Sequence, residues 1–271
     1  MNDIPDSPKD SPRLRQWVDD LQASGRYTFS KEEASRAVQL EDPNLRVYLG
    51  RLVRKGRLAM PRRGFFVIVP LEYQSQGAPP PPWFINALMS YEGRGYYVAL
   101  LSAASIHGAG HQQPQEFQVM VEGQRKPAKA GRHHLAFFVR AAAELMPHMA
   151  VKTPTGNMLV STKGTTLLDL VAYHRHVGGL SHAATVVAEL AAELDPLDLA
   201  LAAKRNEPAT LQRLGYLLEL TGWPDPANEV ENILKTRKHT VVKLRADLPG
   251  SGATMSKRWS LLINDQIEAD I

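Results

Sequence analysis

Residues 30–70 read SKEEASRAVQLEDPNLRVYLGRLVRKGRLAMPRRGFFVIVP, and this stretch decides how the rest of the chain is divided. Its pattern is helix, tight turn, helix, then a β-hairpin with Met60-Pro61-Arg62-Arg63-Gly64 at the tip. Ser30 is placed to N-cap the first helix, with Glu33 three residues on to complete a capping box. The Asp42-Pro43 step is expected to end that helix, because the residue before proline is pushed out of the α region. In the second helix, from Asn44 to about Gly56, Leu45, Leu49, Leu52 and Val53 fall on one face. That spacing is a core-facing stripe. The opposite face carries Val47, Gly50, Arg51 and Arg54, flanked by Asn44 and Lys55 on one side and Arg46 on the other.

After Asp42 no acidic residue occurs until Glu72, and the interval holds Arg46, Arg51, Arg54, Lys55, Arg57, Arg62 and Arg63. A helix pair with a basic outward face, followed by a hairpin with a basic tip, is the pattern of a winged helix-turn-helix. Its second helix fits the major groove, while the wing reaches phosphates or the adjacent minor groove. The DNA-facing candidates are Asn44, Arg46, Val47, Arg51, Arg54, Lys55, Arg57, Arg62 and Arg63. A solvated basic helix with an Arg-rich turn is the plainer alternative. One sign of charge running unbroken across two elements favours nucleic acid.

The whole-chain balance is less informative than its distribution. The 271 residues carry a net charge of +4. Residues 1–72 hold thirteen Lys/Arg against ten Asp/Glu, and the rest hold nineteen against eighteen. The length suggests two domains or one large one. Absence of cysteine excludes disulfides and thiolate metal sites and fits a reducing cytoplasm. The polar, acidic start MNDIPDSPKD is not expected to be a signal peptide. No apolar run is long enough to predict a membrane span.

Taken in order, residues 1–10 read as a disordered lead and 11–73 as the winged helix-turn-helix domain. Ser11-Pro12 starts the first helix, Leu14, Trp17, Val18 and Leu21 mark its apolar face, and Gly25 ends it. Residues 27–29 suggest a short strand; 58–60 and 65–69 are the hairpin strands, with Phe65, Val67 and Val69 on one face. The run QSQGAPPPP at 74–82 is expected to be a Pro-rich linker, either an extended spacer or a segment lying along the second domain. Residues 83–271 then read as a larger, helix-rich α+β domain. Helices are expected over 83–91 and 96–106, strands over 116–121, 135–140 and 158–161, and a helix capped by Thr162. Three or four helices follow over 181–236, broken at Asp195-Pro196, Glu207-Pro208 and Trp223-Pro224. Late strands are expected within 239–244 and 258–263.

Motifs that would carry chemistry are thin. His174-Arg175-His176 with His182 invites a metal, but i and i+2 positions of a helix do not share a face and no further ligands complete a set. His133-His134 sits in a basic turn with Arg125, Lys126, Lys129 and Arg132, either a phosphate-touching loop or a solvated hairpin end. Lys163-Gly164-Thr165-Thr166 has the residue types of a phosphate loop without its spacing. Asp169, in an otherwise apolar helix, reads as a hydrogen-bonded structural carboxylate. No catalytic site, metal or cofactor is expected, and the chain does not read as an enzyme.

Two further segments carry a family resemblance. YYVALLSAASIHG at 96–108 is similar to the helix ending in an aliphatic or His residue plus Gly of the AbiEi-type antitoxins of bacterial type IV toxin–antitoxin systems. LVSTKGTTLLDL at 159–170 is similar to that family's strand leading into a Thr-hydrophobic-hydrophobic-Asp helix. It departs at Lys163-Gly164-Thr165, where charged residues usually stand. The resemblance spans most of residues 11 to about 190.

The resemblance implies a cytoplasmic bacterial protein of an abortive-infection, phage-defence system. Such a protein represses its own operon by binding double-stranded DNA at inverted repeats in its promoter, two copies per operator. Its second domain counteracts a co-encoded nucleotidyltransferase-like toxin. Two alternatives stay open: a winged-helix regulator whose second domain senses a ligand or partner, and an enzyme that inactivates a toxin by covalent modification.

Overall fold

The computed structural model describes residues 11–110 and 114–270; the expected lead at 1–10 lies outside the described residues. In chain order the elements begin α1 (Pro12–Ala23), β1 (Thr28–Ser30), α2 (Lys31–Val38), α3 (Asp42–Arg54), β2 (Leu58–Arg62) and β3 (Phe65–Ile68). Next come α4 (Ile85–Tyr91), β4 (Tyr96–Val98), α5 (Leu100–Ile106), β5 (Glu116–Val121), β6 (Ala128–Ala130), β7 (His133–Val139), β8 (His148–Thr153) and β9 (Gly156–Ser161). The remainder is α6 (Lys163–Ala172), α7 (Gly179–Ala191), α8 (Pro196–Ala203), α9 (Pro208–Leu220), α10 (Pro224–Lys235), β10 (Val242–Lys243), β11 (Thr254–Ser256) and β12 (Leu261–Ile263). Strands β4 to β9 form a sheet of order β6-β7-β5-β4-β9-β8. The fold class is α+β, as the sequence predicts.

The chain resolves into two compact units, the first comprising Met1–Gly95, Gln124–Phe137 and Val151–Met158. Here Ser11 caps α1 by accepting the Leu14 N–H at 3.3 Å, with proline at the start of the helix. Ser30 caps α2 through the Glu33 N–H at 3.1 Å. The expected capping box is only half made, because the Glu33 carboxylate turns instead to Arg26 at 2.6 Å. Asp42-Pro43 does not end α2. That helix stops at Gln39, which takes a left-handed conformation (φ 54°), and Asp42-Pro43 opens α3. Proline lacks a backbone N–H, and the first turn of a helix is where none is needed.

Strands β1, β3 and β2 form an antiparallel sheet in that order, with Thr28 opposite Val67, Ala59 opposite Val67 and Arg62 opposite Phe65. A register shift between Ala59 and Arg62 bends the outer strand. The core of α1–α3 gathers Leu14, Val18, Phe29, Leu45, Leu49 and Leu52 with Phe66 and Ile68. The face that meets the helices is thus that of Phe66 and Ile68, opposite the one shared by Phe65, Val67 and Val69. Residues 65–70 are buried throughout, and Phe65 packs with its ring 5.3 Å from Tyr91.

Within the proline run Ala78, Pro79 and Pro81 are buried, and the residue that follows it is packed as well. Trp83 lies edge-on to Tyr27 and Tyr73 at 4.9 and 5.3 Å, and its carbonyl accepts the Thr155 hydroxyl at 2.7 Å. The expected helix over 83–91 is a short 3-10 turn at Pro81–Trp83 followed by α4. The β6–β7 turn presses Gly131 on the backbone of residues 76–78, where a Cβ would stand 2.1 Å from the Gln76 oxygen. Gly131 also has φ +55°, so this close approach needs glycine twice over.

The second unit comprises Tyr96–Gly123, Phe138–Ala150 and Leu159–Ile271. Residues 96–106, expected as one helix, open as strand β4 before α5. Strand β4 pairs antiparallel with β5 (Tyr97 opposite Met120) and parallel with β9 (Val98 opposite Val160). Helix α6 starts at Thr162, whose hydroxyl accepts the Thr165 N–H, and is buried from Gly164 through Val171. A helix buried on all sides belongs at the centre of its core. Gly164 is where α8 approaches most closely: a Cβ there would lie 2.9 Å from the Leu199 backbone, and the Gly164 N–H donates to Asp198 at 2.7 Å. The three expected proline breaks each coincide with a helix start, at α8, α9 and α10. Trp259 is fully buried against Gly215 of α9.

Candidate nucleic-acid interface

Helix α3 turns Leu45, Leu49 and Leu52 inward, so its other positions face outward by periodicity. Asn44, Arg46, Val47, Gly50, Arg54 and Lys55 are exposed, and Arg51 is half-buried with its guanidinium 5.6 Å from the Tyr48 ring. An aliphatic residue that is 49% exposed, Val47, stands beside a glycine with open space around it, Gly50. This gives the helix a low-relief surface edged by cations. Near its start the face is partly neutralised: Arg46 pairs with Asp42, which also accepts Lys31 at 2.7 Å. The Lys31 hydrogen bond, with Arg46 adding to it, holds the Asp42 carboxyl below its usual range. Arg51 and Arg54 also sit in the last turn, where cations oppose the negative end of the helix dipole.

The remaining cations predicted from the sequence divide into two kinds. Arg63 is exposed at the hairpin tip, where its carbonyl accepts the Tyr91 hydroxyl at 3.2 Å. Arg57 is tied into the fold, donating to the Val69 carbonyl at 3.1 Å and to Asp19 at 2.6 Å. Arg62 turns away from the tip: it donates to Glu92 at 3.1 Å, to the Pro127 carbonyl at 2.9 Å and to the Lys126 carbonyl. Its partners lie 30 to 65 residues further along the chain, beyond the reach of sequence spacing. The structure thus brings Asn44, Arg46, Val47, Arg51, Arg54 and Lys55 together on α3, keeps Arg63 exposed and draws Arg57 and Arg62 into internal contacts.

Within the second unit the sequence reading identified Asp169 but not its partners. Asp169 has no solvent exposure. The Tyr97 hydroxyl donates to it at 3.0 Å and Arg140 donates to its other oxygen. Arg140 also donates to the Asn206 side chain at 2.7 Å. Burial pushes the Asp169 carboxyl up to about 6 against the pull of Arg140, and raises the Tyr97 hydroxyl far above its ordinary value. A lone Asp in an apolar run is the one signal the sequence offered for this network.

Among the described residues no group of three or more His, Cys, Asp or Glu side chains is placed to hold a metal ion. His174 and His182 each pair with a nearby carbonyl, Val171 at 3.1 Å and Val177 at 2.6 Å. Among the described residues no helix is long and apolar enough to cross a membrane.

The crystal structure of the RV2827C protein from Mycobacterium tuberculosis is similar in fold, with a TM-score of 0.67 at 17% identity. The similarity covers 94% of this chain and 92% of that one. No curated protein matches the chain. Residues 97–220 match the family model of the AbiEi antitoxin C-terminal domain, which supports an AbiEi-type antitoxin and a role in a toxin–antitoxin system. The matched segment includes Asp169 and nearly all of both stretches that carry the sequence resemblance.

Proposed function

We propose that this chain is a bacterial, cytoplasmic autorepressor and antitoxin. In this reading residues 11–73 act as a winged helix-turn-helix on double-stranded DNA, and residues 83–271 counteract a co-encoded nucleotidyltransferase-like toxin. The observation that carries the DNA half is the outward face of α3, where Arg46, Val47, Gly50, Arg54 and Lys55 are exposed together. A helix with a flat centre and cationic edges suits a major groove, with arginine available for guanine edges or phosphates. Arg63 is the wing residue placed to reach phosphate. The operator is an inverted repeat in the chain's own promoter, occupied by two copies related by its symmetry.

The antitoxin half rests on the family of residues 97–220. Its test is growth rescue with the neighbouring reading frame expressed as toxin and the full chain supplied from a foreign promoter, so that repression cannot confound the outcome. Restored growth is the expected result. A harmless neighbour, or a toxic one that the full chain leaves toxic, contradicts this half and favours a ligand-responsive repressor.

A further inference from the structure

The basic turn after β5 and the misdirected wing arginine meet in one place. Arg62, Glu92, Arg94, Gln124, Arg125 and Lys126, all in the first unit, line an open pocket of about 320 Å³. Four cations face one carboxylate. Glu92 serves two of them, accepting Arg62 at 3.1 Å and pairing also with Arg125. The two guanidiniums lie over the same ring, Arg125 at 4.7 Å and Arg62 at 5.4 Å from the centre of Phe137.

Arg125 is the residue that needs explaining. Its side chain is only 7% exposed, yet its Nε and Nη1 have no hydrogen-bond partner. Leaving charged donors buried and unpaired is strongly unfavourable, because their hydration is lost with no acceptor in exchange. Burial and the neighbouring Arg62 charge pull Arg125 down to about 10, the response of a cation short of negative charge. Arg62 is satisfied by Glu92 and by the carbonyls of Pro127 and Lys126, whereas the shared carboxylate leaves two donors of Arg125 without an acceptor. The deficit is in acceptor oxygens and in negative charge at once.

We propose that Arg62, Arg94, Arg125 and Lys126 form a phosphate-binding pocket beside the hairpin, with Arg125 as its anchoring donor. A phosphate group supplies several acceptor oxygens on one anionic centre and matches the planar fork of arginine. The phosphate is either free or a phosphate of a DNA backbone; the second source rests on the DNA-binding reading above, the first does not.

Two variants of the full chain test this pocket: Arg125→Gln removes the anchoring donor, and the exposed-rim double variant Arg94→Gln/Lys126→Gln lowers the charge with the interior intact. Each is melted in millimolar inorganic phosphate and in sodium chloride of equal ionic strength, and each is titrated with promoter duplex at several salt concentrations. A phosphate-specific rise in wild-type Tm that both variants lose identifies a free-phosphate site, since a ligand of the native state stabilises it by mass action. No such rise, but a log–log salt slope for DNA that falls by about 0.9 per lost contact, identifies a backbone-phosphate site. Variants that match wild type in both assays overturn the proposal. If the chain binds no DNA, the melting assay alone decides; if Arg125→Gln does not fold, the rim variant decides.

Discussion

Arg140 donates to Asp169, a carboxylate with no exposure to solvent, at the centre of the second unit. The pair is completed by Tyr97 on the acid and Asn206 on the base, so each charge is hydrogen-bonded as well as countered. Removing one partner of such a pair strands the other, which costs about 3–5 kcal/mol. Arg140→Met is expected to lower stability by that order, measured by urea denaturation near neutral pH. A loss below about 1 kcal/mol, the usual limit for a solvent-exposed pair, contradicts the buried-pair account.

The same carboxyl gives a pH dependence of known sign. With the folded Asp169 at about 6 and its ordinary value at 3.8, the native state holds a proton between these limits that the unfolded state has released. This contribution is therefore largest at acid pH and is lost as pH rises through the interval. It lowers stability by roughly 1.4 kcal/mol per pH unit, about 3 kcal/mol in total. Asp169→Asn removes that titration, so its stability relative to wild type is expected to improve from pH 4 to pH 7. A difference that stays constant over this range argues against a raised Asp169.

Two helical glycines should respond to alanine with opposite signs. Gly215 has the Trp259 ring 2.1 Å from the position of a Cβ, so Gly215→Ala overpacks the core and is expected to cost at least about 1–3 kcal/mol. Gly50 on α3 has nothing within 4 Å, so Gly50→Ala gains helix propensity of about 0.5–1 kcal/mol. Thermal melts of the two variants read the contrast directly.

At the start of α2 only one side of the capping box is made. Ser30→Ala loses a cap worth about 1 kcal/mol. Glu33→Ala loses only a partly exposed ion pair with Arg26, worth about 0–1 kcal/mol. Equal losses in chemical denaturation would contradict the one-sided cap.

Local signals were legible and tertiary ones were not. Ser11-Pro12 and Thr162 marked helix starts, and the three Asp/Glu/Trp-Pro steps marked breaks between helices, because caps and proline act within one turn of chain. Asp42-Pro43 was misread because one dipeptide signals both the end of a helix and the start of the next; here Gln39 had already ended α2. Residues 96–106 are apolar almost throughout, and such a run has no periodicity to separate strand from helix. Both faces of β3 are buried, which removes the alternation that would have picked out Phe66 and Ile68. The α3 half of the candidate site followed from helical spacing alone. The direction of Arg62, the burial of Arg125 and the partners of Asp169 depend on segments distant in sequence, and no spacing rule reaches them.

The central claim is that the α3 face binds DNA, and the most direct measurement is anisotropy of labelled promoter duplex over a salt series. Wild type, Arg54→Ala and Arg57→Ala are compared. Salt-dependent binding is predicted for wild type, with Arg54→Ala weakening it and Arg57→Ala, whose side chain is held by Val69 and Asp19, changing stability more than affinity. Wild-type binding that is absent, or that Arg54→Ala leaves unchanged in affinity and salt slope, would contradict the account.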